Sequence, residues 1–267
     1  MSPAPEQPAH TIPEAWREFR RRREEDLVQP YGWLTLTGFH WLPTEPAGLP
    51  GLPGTWSTDG ENAHVTATAA DGLTRDGTPI DGTHTFTVAE TGRAPWVTTP
   101  SGEQVELLRR GGRLAIRSRA ETSPARENFP GIPTFPYDPA WVIDAHFHPY
   151  EPGRTTDVAT HRPELRQRLK ALGEVTFTID GEPQRLLVTT IKAGMSIEFH
   201  DPTNGHETPA WRQLKFPDPD ANGHVELDFN RTINMWFAFT DHCTCPQPSP
   251  GNTITVPVRA GEKALNR

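Results

Sequence analysis

The chain has 267 residues, a formal net charge of −8, 34% hydrophobic residues, 29 prolines and 22 glycines. Its length supports a sizeable core, and eight Trp with twelve Phe supply material for one, which excludes a disordered chain despite the low apolar content. The acidic balance, with no basic block interleaved with aromatics, argues against a nucleic-acid interface.

No apolar run has the length of a membrane span, and "MSPAPEQPAH" lacks the charged-then-apolar order of a secretion signal. A cytoplasmic protein with reduced thiols, and no membrane partner, is expected.

Residues 1–11 read as a flexible tail and 12–30 as an N-terminal helix. Thr11 is placed to cap it, Pro13 suits its first turn, Glu14 follows the cap at three residues, and Pro30 ends it. Trp16, Phe19 and Leu27 form its apolar stripe, and "REFRRRREED" reads as a solvated face whose arginines are answered by acids.

From residue 31 the apolar period changes to two, through "YGWLTLTGFHWL", "AHVTATAA", "HTFTVA", "WVTT", "EQVELLRRGGRLAIRSRA" and "VTFTIDGEPQRLLVTTI". Asp-Gly pairs at 71–72, 76–77, 81–82 and 180–181, and Gly111-Gly112, punctuate these as hairpins. "MSIEFHD", "HVELDFN", "MWFAFTD" and "TITVPVRA" continue the series. About a dozen short strands predict a mainly β protein, an antiparallel sandwich or barrel-like architecture in two lobes with one N-terminal helix. The N-terminal β lobe is placed at 31–135 and the C-terminal one at 136–267, with the proline-rich "SPARENFPGIPTFPYDPAWVI" crossing between them.

Three constellations carry possible chemistry. In "DHCTC", Cys243 and Cys245 share one side of an extended segment and His242 points the other way. A disulfide between them would close a strained ring, zinc sites space cysteines differently, and a free Cys usually behaves as a small buried hydrophobe. In "AHFHPYEP", His146 and His148 share a strand face, as in many β-barrel metal enzymes. The third is the polar set in "FHDPTNGHETPAWRQL" and "VELDFNRTIN": Asp201, Thr203, Gly205, Glu207, Thr208, Arg212, Asp228, Asn230, Arg231 and Asn234. Such density fits either a hydrogen-bonded corner or an anion pocket, since Arg grips carboxylate or phosphate through two parallel bonds. No nucleophile elbow, P-loop, dinucleotide fingerprint or zincin helix occurs.

With "DPTNGHET", "LDFNR" and "VPVRAGEK" in place, the chain resembles the DUF1684 family, a domain of unknown function found in bacteria and archaea. The resemblance begins at "GWLTLTGFHWL" and is most specific between Asp201 and Lys263. It implies no reaction, but adds Glu262 and Lys263 to the polar set. The family pattern places its first cysteine where this chain has Phe237, and Cys243 stands where alanine is usual, so a family cysteine pair is not intact here.

These readings predict a small-molecule pocket for an anionic ligand in the C-terminal lobe. Arg231 and Arg212 would hold the anion, Asp201, Thr203, Thr208, Asn230 and Asn234 would surround it, and Glu207 or Asp228 would be the acid or base if chemistry occurs. This version needs no cofactor. One rival is a cupin-like enzyme holding zinc, iron or copper through His146, His148, His242, Cys243 and Cys245. The other is a structural or partner-binding module in which the polar set is a buried network.

Overall fold

The computed structural model describes residues 12–190 and 194–265; the expected tail at 1–11, with Thr11, lies outside them. Helix α1 (Glu14–Val28) starts after Pro13 without a side-chain cap. Its inward stripe is Trp16, Arg20, Arg23 and Leu27, at helical spacing, and Arg20 and Arg23 are buried. The arginine run is therefore not one solvated face. Arg17, Arg21 and Arg22 pair outside with Glu14, Glu18 and Glu25, while the other two point into the protein. No helix among the described residues is long and apolar enough to cross a membrane.

Residues 36–119 form ten strands: β1 (Leu36–Trp41), β2 (Ala47–Leu49), β3 (Leu52–Thr58), β4 (Ala63–Ala67), β5 (Thr74–Arg75), β6 (Thr78–Pro79), β7 (Gly82–Phe86), β8 (Arg93–Thr98), β9 (Gln104–Arg110) and β10 (Arg113–Arg119). They build two sheets, ordered β2-β3-β4-β7 and β1-β10-β9-β8-β5-β6. Trp56, Val65, Leu107 and Ile116 are among the side chains packed together in the core of this lobe. Alternation along β9 and β10 sends Val105, Leu107, Leu114 and Ile116 into that core and puts Glu106, Arg117 and Arg119 on the opposite face. That face is also covered, so all three charged side chains are buried.

The C-terminal sheet contains β11 (Val142–Pro149), β12 (Thr155–Ala159), β13 (Arg166–Ile179), β14 (Glu182–Thr190), β15 (Met195–Phe199), β16 (Arg212–Phe216), β17 (His224–Asp228) and β18 (Ile233–Asn234). The order is β17-β11-β13-β14-β15-β16-β18, with β12 on β13. Val175, Phe177, Val188, Ile197, Leu214 and Leu227 pack on one face against Ile254, Val258 and Ala260 of the closing segment. Gly173 lies where a Cβ would sit 2.3 Å from the His148 carbonyl oxygen, so this crossing of β11 and β13 needs glycine. The lobes meet where Arg162 stacks on Phe39 at 3.6 Å and Trp41 Nε1 donates to Glu164 at 2.8 Å.

Mainly antiparallel β structure with one long N-terminal helix is what the sequence pattern predicts, but several segments differ. Trp33–Thr35 forms a 3-10 turn, and β1 begins after it. Trp236–Ala238 is another 3-10 turn, and no strand forms in "TITVPVRA". In both segments apolar alternation records burial in an irregular path. Asp76-Gly77, Gly111-Gly112 and Asp180-Gly181 are hairpin turns with positive φ at both residues. Asp71-Gly72 instead closes a 3-10 turn through a Thr68–Asp71 capping box, and Gly82 opens β7.

Candidate functional site

The polar set splits into two groups on opposite sides of β16 and β18. The first is a fully buried knot around Arg212. Its Nη1 donates to the Ala260 carbonyl at 2.6 Å and, at 3.3 Å, to that of Glu262. Its Nη2 donates to Val258 at 2.7 Å and to Asp201 Oδ1 at 3.2 Å. Asp201 Oδ2 in turn accepts from the Thr203 N–H and hydroxyl and from Val258 N–H, while Thr203 and Thr208 hydroxyls meet at 2.7 Å. Burial pushes the Arg212 pKa down, and the Asp201 charge opposes that. The knot ties the "DPTNG" turn to the C-terminal segment, and Nη1 and Nη2 of its guanidinium are spent on protein groups. Arg212 Nε and Asn234 Oδ1, a donor and an acceptor without hydrogen-bond partners among the described residues, belong to residues directly opposite in the β16–β18 ladder.

Glu262 joins this knot to α1. Gly261 has φ 75° and passes so close to Thr232 that a Cβ would lie 2.4 Å from its carbonyl oxygen, which lets the chain turn and aim Glu262 inward. Glu262 Oε1 accepts from Arg20 Nη1 at 2.7 Å and Arg23 Nε at 3.1 Å, and Oε2 accepts the Asn234 N–H at 2.6 Å. Trp16 Nε1 adds a bond to the Asn230 carbonyl. These contacts hold α1 in place across the C-terminal lobe.

Between α1 and the outer face of the sheet lies a cleft of about 670 Å³. Its floor is Ser196, Gln213, Lys215 and Ile233, which alternate with the core residues of β15, β16 and β18. Beneath it the buried Glu198 accepts from Ser196 Oγ at 3.0 Å, Gln213 Nε2 at 2.7 Å and Thr189 Oγ1 at 2.9 Å. Phe19, Met235, Trp33 and Trp236 give apolar walls, the two indoles stacking at 4.6 Å and 7°. Arg23 lies 4.7 Å from Trp236 and Arg117 5.2 Å from Trp33, so two cations bracket the indole pair. Five basic side chains border the cleft (Arg22, Arg23, Arg110, Lys215 and Arg231) against the acids Glu18 and Asp26. Arg22 pairs with Glu18, Arg23 with Glu262 and Arg231 with Asp228, so most of these cations are answered by a carboxylate close by.

Of the site residues singled out from sequence, Arg231, Asn234 and Cys245 border this cleft. Arg231 is part-exposed, stacks on Phe19 at 5.4 Å, and its Nε donates to Asp228 at 3.2 Å. Asp228 caps the turn carrying Asn230 and Arg231, and Asn230 is fully used in bonds to Asp138, Asp228 and Trp16. Glu207 lies outside the cleft in an ion pair with Arg259 at 2.9 Å. The outer floor, the indole pair and Arg23 were missed. The signal for Arg20 and Arg23 was present, since both fall on the Trp16–Leu27 stripe. The partnership of Trp33 with Trp236 crosses about two hundred residues, and nothing local announces it.

The lobe junction holds a second buried charge cluster. Glu106 is approached by Arg93 at 3.0 Å, Arg117 at 2.6 Å and Arg119 at 3.1 Å. Arg117 comes in off its N–H axis, so none of its three guanidinium nitrogens makes a hydrogen bond among the described residues. Burial pushes the Arg117 pKa down to about 10, and the three cations outweigh burial to hold Glu106 below its usual range. Nearby, Cys243 and Cys245 are reduced and buried, packed with Trp211, Met235 and Phe237, as expected of small hydrophobes. Burial, helped by Arg162, lowers the pKa of His242.

The metal constellation does not assemble. His146 and His148 lie side by side on the exposed face of β11, rings 4.6 Å apart, with His148 bonded to Thr176. The cysteines are buried in the cluster with Trp211. Among the described residues no three His, Cys, Asp or Glu side chains gather as a metal site.

The fold is thus a two-lobed antiparallel β protein with a cleft of apolar and charged side chains under its helix. A family model described as "Protein of unknown function (DUF1684)" matches residues 127–263, more than half of the chain, and the protein belongs to that family. No curated protein matches it. Among solved structures, it is similar to the solution NMR structure of the uncharacterized protein from gene locus rrnAC0354 of Haloarcula marismortui, with 27% identity, 53% of this chain and 81% of that one covered, and a TM-score of 0.45.

Proposed function

We propose that the protein binds a small organic anion with an aromatic or apolar body in the cleft beneath α1. The observation that carries this reading is the combination of apolar walls with bordering cations, the part-exposed Arg231 among them, in a volume suited to a single small molecule. The indole pair forms part of the apolar wall, and Arg231 supplies a part-exposed guanidinium. Arg212 has no part in it, because it does not border the cleft and its Nη1 and Nη2 donate to protein oxygens. Neither Glu207 nor Asp228 borders the cleft, so the proposal is one of binding.

Titration with anilinonaphthalenesulfonate, compared with the neutral N-phenylnaphthylamine, tests it by fluorescence. The anion should bind saturably at one site and more tightly than the neutral probe. Losing the Arg231 contact in Arg231→Ala should weaken it by roughly tenfold, about 1.4 kcal/mol. Equal affinity for the two probes, or binding that never saturates, would overturn the reading.

A further inference from the structure

Four polar side chains from three strands meet at the cleft floor. Register sets Glu198 of β15 opposite Gln213 of β16, and Ser196 of β15 opposite Thr189 of β14. All four therefore project on the face away from the core of Val188, Ile197 and Leu214. All are buried, Glu198 to 1% exposure. Glu198 Oε1 accepts from the Ser196 hydroxyl at 3.0 Å and from Gln213 Nε2 at 2.7 Å, and its Oε2 accepts from the Thr189 hydroxyl at 2.9 Å. A carboxylate only accepts, so these three bonds decide which way each proton points.

Two of these donors, Ser196 and Gln213, line the cleft. Ser196 has a single hydroxyl proton, and it is held inside the protein by Glu198 and, at 3.4 Å, by the Thr189 carbonyl. Its oxygen can then only accept from a molecule bound above it. Gln213 turns its amide nitrogen to the carboxylate, which directs Oε1 away from Glu198 as a second acceptor. A floor built only for packing has no use for a buried carboxylate, whose desolvation is costly. We propose that this floor selects ligands whose apolar body carries a hydrogen-bond donor, a hydroxyl or an amine, which narrows the ligand class to hydroxy- or amino-substituted aromatic anions. The charge of the ligand rests on the anion-binding reading above; the donor rests on the floor alone. Ser196 and Gln213 make the contact, and Glu198 is a positioning residue that keeps the Ser196 proton out of the cleft. An ether oxygen in place of the hydroxyl meets the Ser196 lone pairs and loses the hydrogen bond it made with water.

Two matched pairs of probes test this by isothermal titration calorimetry on the full chain. One pair is hydroxynaphthalenesulfonate and its methyl ether, in several positional isomers; the other is neutral naphthol and methoxynaphthalene. Within each pair the hydroxyl compound should bind the wild type roughly fivefold to tenfold more tightly in at least one isomer. Ser196→Ala removes the acceptor, and Glu198→Gln frees the Ser196 proton to turn into the cleft, so each should bring that ratio below about threefold. A merely structural Glu198 would change the affinity for both members of a pair alike and leave the ratio where it was. A ratio near one in the wild type for every isomer would overturn the proposal, and that result needs no variant to fold. The comparison across pairs is separate: a sulfonate that binds no better than its neutral counterpart overturns the anion reading, while a hydroxyl preference within the neutral pair still supports the donor-selecting floor.

Discussion

Arg212→Met separates a structural role for the polar set from a ligand-binding one. The substitution strands the buried Asp201 carboxylate and removes donors from the carbonyls of Val258 and Ala260. Breaking a buried pair from one side costs about 3–5 kcal/mol. Each stranded carbonyl can add about 1–3 kcal/mol, though relaxation shares these losses and they do not sum. A total near 5 kcal/mol is a large part of the roughly 5–15 kcal/mol that holds a domain folded. With a urea slope of about 3 kcal/mol/M, the midpoint should fall by about 1.5 M, read by tryptophan fluorescence. Adding Asp201→Asn should recover part of the loss, because the stranded charge is then gone. A midpoint shift under about 0.3 M together with lost binding of anilinonaphthalenesulfonate would refute the structural reading.

Other consequences are as direct. Glu262→Gln removes the charge shared by Arg20 and Arg23, so it should cost about 2 kcal/mol and speed amide hydrogen exchange within α1; unchanged protection there would contradict the latch. His242 and His40 both have pKa values lowered by burial from 6.5. Their unfolded forms take up protons first, so stability should be full above about 6.5 and fall as the pH drops below it. His242→Gln should flatten that slope in urea titrations, and an unaltered slope would remove His242 from the explanation. Elemental analysis of the purified protein should give far less than one zinc, iron or copper per chain, whereas one-to-one metal lost in His146→Ala would restore the metal reading.

Strand content was legible because alternation and turn chemistry agree locally, as at Asp180-Gly181 between β13 and β14. It failed at Trp236–Ala238 and residues 253–260, where apolar residues are buried without pairing, and alternation cannot distinguish the two cases. The polar cluster was visible as a cluster, but which side of β16 each member faces was not. Arg212 and Gln213 are neighbours in sequence, yet one enters the knot and the other floors the cleft. Arg20 and Arg23 were hidden by composition, since five arginines among acids look alike until Glu262 arrives from the far end of the chain.

The binding claim is tested most directly by the indole N–H signals of the eight tryptophans in a ¹H–¹⁵N spectrum, assigned with Trp33→Phe and Trp236→Phe. On adding naphthalenesulfonate, the Trp33 and Trp236 signals should move along saturating curves, while those of Trp56 and Trp96, in the N-terminal core, stay in place. Signals of Trp33 and Trp236 that stay fixed at saturating probe, or that move no more than those of Trp56 and Trp96, would contradict binding in the cleft.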